Sequence, residues 1–337
     1  MDGMRFRSLY ANVDRLSVVQ LRELQRKLRA LDARREVLVR IDARGQALER
    51  CVHCGGSALV RWGSTRTGLQ RLRCKGCGRT FSAATGTVVA RIGLPEKLQQ
   101  ALADMLAPVP SSCRRLAARL GVDKMTVWRW RMGILAAFDG AGAKCEAARL
   151  GGIVGADETY LRESRKGSRE WVRHARDPQR SPEPPRPRWR DFRWLGLLLS
   201  AGLSRWQIPI LTLADRAGSR HAERLPDRRA ESLVAVLEAR ISRDAVLCSD
   251  GDGASGLFTQ THGLPHYRLD ATHGPRVIQA AFHIQTVNSL HSRLKAFIRP
   301  FCGPAKKNLP VYIAWFIARL ADQATAKNNA WQRMLAA

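Results

Sequence analysis

Two cysteine pairs constrain the fold of this 337-residue chain more than any other feature in it. Cys51-Val-His-Cys54 is followed, after nineteen residues, by Cys74-Lys-Gly-Cys77. Each CxxC spacing puts two thiolates on one tight turn, and two such turns make a tetrahedral sulfur cage of the kind that holds structural Zn2+. Gly55, Gly56, Gly76 and Gly78 supply the backbone freedom such turns need. Arg71–Cys74 and Arg79–Phe81 flank the second pair as short strands. Residues 49–90 are thus expected to form a zinc ribbon with Cys51, Cys54, Cys74 and Cys77 as ligands. Four sulfurs leave no open position, so the metal is expected to be structural rather than catalytic. His53, inside the first turn, is expected to face solvent. Cys113, Cys145, Cys248 and Cys302 are scattered, as buried thiols are.

Charge narrows the partner. Lys and Arg number 57 against 29 Asp and Glu, a formal net charge of +28. Self-repulsion at that charge opposes folding, and a polyanion relieves it while releasing counterions from its phosphates. Arginine dominates, which suits phosphate forks and groove contacts. Arg61, Arg66, Arg71, Arg73, Lys75 and Arg79 crowd the zinc segment and mark it as a clamp for double-stranded DNA. No apolar run approaches the ~18 residues of a membrane span. Trp194–Leu203, the longest, is strand-sized. Met1–Arg5 has no apolar core, so neither a signal peptide nor a membrane partner is expected. A cytoplasmic, nucleoid-associated protein is the expectation.

The rest of the chain divides by period. Residues 1–48 read as a helical segment, with Leu16, Val19, Leu21, Leu24, Leu28 and Leu31 near helical spacing and a break at Gly45. That helix packs on the chain or pairs with a second copy. Residues 91–148 are helical again, opening at Pro95, with a hinge expected at Gly140 and Gly142. From 149 to 325 strands appear at Gly152–Leu161, Trp194–Ala201, Gln207–Ala214, Ala245–Ser249 and His266–Asp270. Helices are expected at Glu231–Ile241, Phe282–Phe297 and Val311–Ala321. This order predicts a mixed sheet flanked by helices. Residues 162–193 interrupt it with an arginine- and proline-rich insert, a solvated tether or a DNA-contacting arm. Residues 326–337 read as a C-terminal tail.

Within the second helical segment, Ser111 to Arg131 has the pattern helix, glycine turn, helix. Leu116, Ala117 and Leu120 face inward, Gly121 permits the turn, Val122 plugs the core and Asp123 is a good N-cap. Val127, Trp130 and Ile134 recur on one face of the second helix. Lys124, Met125, Trp128 and Arg129 then face outward, as a helix entering a major groove requires. An ordinary helical hairpin gives the same pattern. The neighbouring zinc ribbon and the net charge favour a helix-turn-helix.

Two acids mark the mixed sheet. Asp157 lies within the apolar strand Val154–Tyr160, where strand alternation puts Gly155, Asp157 and Thr159 on one face. An acid there is costly unless it is paired or binds a cation; alone, it also reads as an edge-strand acid facing water. Asp250 follows the strand Val246–Ser249, at an end where site residues project from a sheet; alone, it also reads as a turn-former before Gly251. A third ligand for a two-metal site is expected from a later helix. From Ala271 to Ala321 there is no Asp or Glu. Asn288 offers a neutral carbonyl oxygen, with Lys295 two turns on, on nearly the same face. As a plain helix residue, Asn288 would be a solvated polar side chain.

Ala156-Asp157-Glu158-Thr159-Tyr160, Ser249-Asp250-Gly251 and His283–Lys295, in that order after the cysteine pairs, resemble the three motifs of the zinc-ribbon insertion-sequence transposases of the ISXO-two-like group. The resemblance spans Cys51 to Leu320. It implies an α/β multidomain protein, with zinc ribbon and helix-turn-helix followed by a ribonuclease-H-like mixed sheet flanked by helices. It also implies catalytic Mg2+ or Mn2+, binding of terminal inverted repeats and target DNA, and strand cleavage followed by transfer. By carry-over Asp157 and Asp250 are metal ligands, Asn288 takes the third ligand position and Lys295 contacts DNA. Two element ends must be joined together, so a homodimer or higher homo-oligomer is expected. The 162–193 insert and the helix before Cys51 depart from the pattern. Two rivals remain: a catalytically inactive DNA-binding regulator derived from a transposase, and a structure-selective nuclease of the same fold.

Overall fold

The structure is a computed structural model that describes residues 7–8, 10–144, 149–170, 173, 206–251, 253–269, 274–320 and 323–336. The expected strand Trp194–Ala201 and most of the 162–193 insert lie outside the described residues. The chain divides into two compact units: residues 1–137 with 323–337, and residues 138–322.

In the first unit, α1 (Val18–Gln46) starts at a Ser17 capping box, in which Ser17 Oγ accepts from the Gln20 backbone and the Gln20 side chain accepts from Ser17 N–H. Its C-terminal half buries Val37 and Ile41, whereas Val18, Val19, Leu28 and Leu31 are exposed. A three-stranded antiparallel sheet follows: β1 (Leu59–Ser64), β2 (Gln70–Cys74) and β3 (Thr80–Ser82). Then come α2 (Pro95–Leu106), α3 (Cys113–Leu120) and α4 (Lys124–Lys144), whose residues from 138 onward are counted with the second unit. Helix α4 runs through Gly140 and Gly142, where the sequence predicts a hinge; glycine inside a helix costs only about 1 kcal/mol, which does not by itself end one. An interior acid holds this region together. Asp104 is buried on α2 and pairs with Arg119 at 2.5 Å and Arg131 at 4.0 Å, while Ser111 N–H donates to it at 3.0 Å.

The second unit is built on a five-stranded mixed sheet with strand order β6-β5-β4-β7-β8. These are β4 (Ile153–Arg162), β5 (Gln207–Asp215), β6 (Arg220–Arg224), β7 (Val246–Ser249) and β8 (His266–Arg268). Strands β4, β5 and β6 pair antiparallel; β7 joins β4, and β8 joins β7, in parallel. Helix α5 (Ala230–Arg240) connects β6 to β7 and α6 (Gly253–His262) connects β7 to β8. Leu233, Leu237 and Phe258 from these two helices pack with Val154, Ala156, Leu211, Leu213 and Leu247 in one core. Helix α7 (Gln285–Ile298) packs against β4 and β5, followed by α8 (Leu309–Ala318). Strand β5 is buried along eight of its nine residues, as a strand covered on both faces must be. Helix α9 (Gln323–Ala336) belongs to the first unit, where Trp331 Nε1 donates to Gln99 Oε1 of α2 at 3.1 Å and Lys327 pairs with Glu36 of α1 at 2.8 Å. Among the described residues no helix is long and apolar enough to cross a membrane.

Candidate functional site

The four cysteines converge. Their sulfurs lie within 4.8 Å of one another, with Cys51–Cys77 at 3.8 Å and Cys54–Cys74 at 3.6 Å. A tetrahedral ion with Zn–S bonds of ~2.3 Å separates its sulfurs by about 3.8 Å, so the cage fits zinc. The two knuckles are alike. Gly55 N–H donates to Cys51 O and Gly78 N–H to Cys74 O, each at 2.9 Å, and both glycines have positive φ, +74° and +69°. Only glycine takes that conformation without strain. The thiols resist ionising together. Cys74 is drawn down to about 7, first by the backbone N–H of Cys77, while in Cys54 the N–H of Gly56 lowers but the three other thiols raise it to about 11. A cation in the cage removes that conflict. His53 is exposed, edge-on to Phe81.

Around the cage, Arg73 lies over the exposed ring of Trp62 at 4.5 Å, and Arg71 donates to Thr80 at 2.8 Å. Further along, Ser112 caps α3, Gly121 ends it in the left-handed region at φ +59°, and Asp123 accepts from Met125 N–H at 2.7 Å to start α4. Leu116, Ala117, Leu120 and Val127 pack together with Val122 and Trp130. Lys124, Met125, Trp128 and Arg129 all lie exposed on the first turns of α4.

In the second unit, Gly155 of β4 is in register with Cys248 of β7 on parallel strands. Two residues beyond that pair stand Asp157, still within β4, and Asp250, one residue past the end of β7. Both line one cavity of about 250 Å3, together with Glu158, Tyr160, Leu233 and Ser255. Asp250 is exposed, and its turn is built around Gly251 at φ +90°. Gly251 N–H donates to Ser249 Oγ at 3.2 Å, Gly251 O accepts from Arg268 at 2.8 Å, and Ser249 Oγ meets His266 Nε2 at 2.9 Å. Asp157 is mostly buried; Oδ1 accepts from Glu158 N–H at 2.7 Å, and Thr212 of β5 donates to its backbone carbonyl at 3.0 Å.

Helix α7 packs on β4 and β5 and contributes no residue to the lining of that cavity. Asn288 and Lys295 are both exposed, and between them the buried His291 reaches inward. Its Nε2 meets Thr212 Oγ1 at 2.5 Å, and its Nδ1 stands 3.8 Å from Asp157 Oδ2. Burial first, and then the charge of Lys295, lower the His291 imidazole to about 4, so it is neutral at physiological pH. His291 is absent from the residues singled out in the sequence; its position three residues after Asn288, on a neighbouring helix face, was the available signal. Two further devices seat the helix. A Cβ on Gly155 would lie 2.9 Å from Val287 Cγ2, so only glycine admits α7 this close. Arg216, after β5, donates to Thr286 Oγ1 at 3.0 Å and to Ala281 O and His283 O at 2.9 Å each. Among the described residues, the four cysteines are the one cluster of three or more His, Cys, Asp or Glu ligand atoms close enough to share a metal.

No protein-family model matches the chain. It is 29% identical over 273 residues to a protein of Halobacterium salinarum described as an uncharacterized protein in transposable element ISH50; the match covers 80% of this chain and 84% of that one. The chain is thus similar, over most of its length, to a protein borne by a transposable element, and it carries a four-cysteine cluster with the dimensions of a zinc site.

Proposed function

We propose that this protein is a metal-dependent DNA transposase with a ribonuclease-H-like catalytic unit. The observation that carries the reading is that Asp157 in β4 and Asp250, one residue past the parallel strand β7, line one cavity. The strand order, with an antiparallel meander on one side of β4 and parallel strands on the other, supports the fold assignment. The similarity to a transposable-element protein supports the biological role.

Asp157, Asp250 and the carbonyl oxygen of Asn288 are hard oxygen donors suited to Mg2+ or Mn2+, which supplies the activation of a water or 3′ hydroxyl for in-line attack on a phosphodiester. The protein's own part is to hold those oxygens still. The Glu158 N–H fixes one Asp157 oxygen, the Ser249–Arg268 contacts fix the Asp250 turn, and Gly155 with Arg216 seats α7. In the first unit, the exposed Lys124, Met125, Trp128 and Arg129 are the base-reading face of a helix-turn-helix, and Arg71 and Arg73 of the zinc ribbon grip phosphates. Lys295 contacts DNA at the catalytic unit. Joining two element ends calls for at least a dimer.

The test is to incubate the full chain with Mg2+ or Mn2+ and DNA carrying the sequences that flank its own gene, then map nicks and joined products. Asp157→Asn and Asp250→Asn are each expected to cut at least about a thousand-fold more slowly, equivalent to ~4 kcal/mol of barrier, with DNA affinity within about three-fold of the parent. Cutting at the parental rate by either variant refutes the site. Binding of those ends without cutting by the parent would make it a DNA-binding regulator. Cutting of flaps or junctions in preference to the ends, with no joined product, would make it a nuclease.

A further inference from the structure

A second cavity in the catalytic unit has the opposite character. It encloses about 720 Å3 between residues 163–170 with Arg173, the end of β6 and residues 305–307, and seven basic but two acidic side chains line it. Its walls are tied together. Lys306 N–H donates to Ser164 O at 2.8 Å, and Lys166 Nζ donates to Phe301 O at 3.1 Å and Cys302 O at 2.6 Å. Glu163 is buried and draws in Arg165 at 3.3 Å from its own segment and Lys306 at 3.7 Å from the other. That acid anchors two cations and still leaves the cavity strongly positive.

Arg224, at the end of β6, adds its guanidinium to the same lining. Seven cations on walls tied to one another, against two acids, define an anion site. Its position names the anion. Glu163 stands six residues beyond Asp157 along the same strand direction, roughly 20 Å at an extended rise. Duplex DNA repeats its phosphates every ~3.4 Å along each strand, so one duplex can reach both places.

We propose that this cavity is a second, non-catalytic site for the phosphodiester backbone of the DNA on which the acid pair acts. The inference rests on the DNA reading of the function, and the test separates the two. The full-length protein is titrated with a 40-base-pair duplex of arbitrary sequence across a range of salt. Arg169 and Lys307 line opposite walls, are exposed, and have no side-chain hydrogen bond or ion pair among the described residues, so replacing them leaves the fold intact. The double variant Arg169→Gln with Lys307→Gln is expected to reduce the slope of log affinity against log salt by about two, at ~0.9 per phosphate contact. Its affinity near 0.1 M salt should fall about ten-fold. Arg169→Lys with Lys307→Arg should bind like the parent. A parent that binds with a steep salt slope, together with a Gln variant whose slope and affinity are unchanged, overturns the cavity site alone. A parent with no salt-dependent DNA binding overturns the DNA reading and this site with it.

Discussion

The cysteine cage and the acid site both gather hard-won geometry around a prospective cation, but they are built in opposite ways. The cage draws its four ligands and its conformational requirements from residues 51 to 78, and each knuckle folds on its own backbone: a Cys, a return hydrogen bond and a positive-φ glycine. The acid pair takes one residue from β4 and one from just past the end of β7, and its surroundings come from elements far away in sequence. Gly155 is shaped by Val287, and Asp157 is flanked by Thr212 and His291. A four-cysteine cluster of the first kind depends on a metal for its stability. The acid pair stands on strands stabilised by the core around them.

The largest expected effect follows from that difference. Stripping zinc with a strong chelator should unfold the cage segment, because binding free energy at such sites, about 10 kcal/mol or more, is folding free energy. Hydrogen exchange read by mass spectrometry should show residues 51–82 losing protection while β4 and β5 keep theirs. Loss of protection in both regions together would break the comparison, since it would make the acid site's scaffold depend on the zinc.

The same contrast accounts for what was legible in the sequence. The convergence of the four cysteines could be read from spacing alone, and of the four glycines named there Gly55 and Gly78 take the positive φ that the turns require. In the acid site the apolar strand around Asp157 and the short strand before Asp250 were visible as local patterns, and both strands formed with those residues where the patterns put them. That the two acids line one cavity could not be read, because it depends on the pairing of β4 with β7 across 93 residues, from Gly155 to Cys248. His291 was hidden for a related reason. A histidine on a helix face has no meaning until Thr212 and Asp157 are brought beneath it. Strand β6 and helix α9 were not anticipated either. Arg220–Arg224 is charged at three of its five residues, and its strand conformation comes from pairing with β5.

A smaller effect tests the distributed half of the contrast. Gly155 has an ordinary φ, so an alanine there meets no backbone strain; it meets Val287. Gly155→Ala is expected to cost about 2 kcal/mol by overpacking the α7 interface, measured by urea unfolding. Val287→Ala opens the needed space, so the double variant should be less destabilised than the two single changes added together, by about 1 kcal/mol. Strict additivity would mean that the close approach of α7 does not set the requirement for glycine.

The smallest effect tests the local half, at Gly55. An added Cβ there meets nothing within 4 Å, so space is not what demands glycine; the φ of +74° is. Gly55→Ala should therefore cost about 1 kcal/mol of left-handed strain, read as weaker zinc retention in a chelator competition. Gly55→Asn should cost less, because asparagine tolerates that region better than other side chains. No second-site change in a packing neighbour should rescue either variant, since there is no neighbour to move. Equal losses for Ala and Asn would point to the missing side-chain space after all, and the cage would then share the logic of Gly155 rather than stand against it.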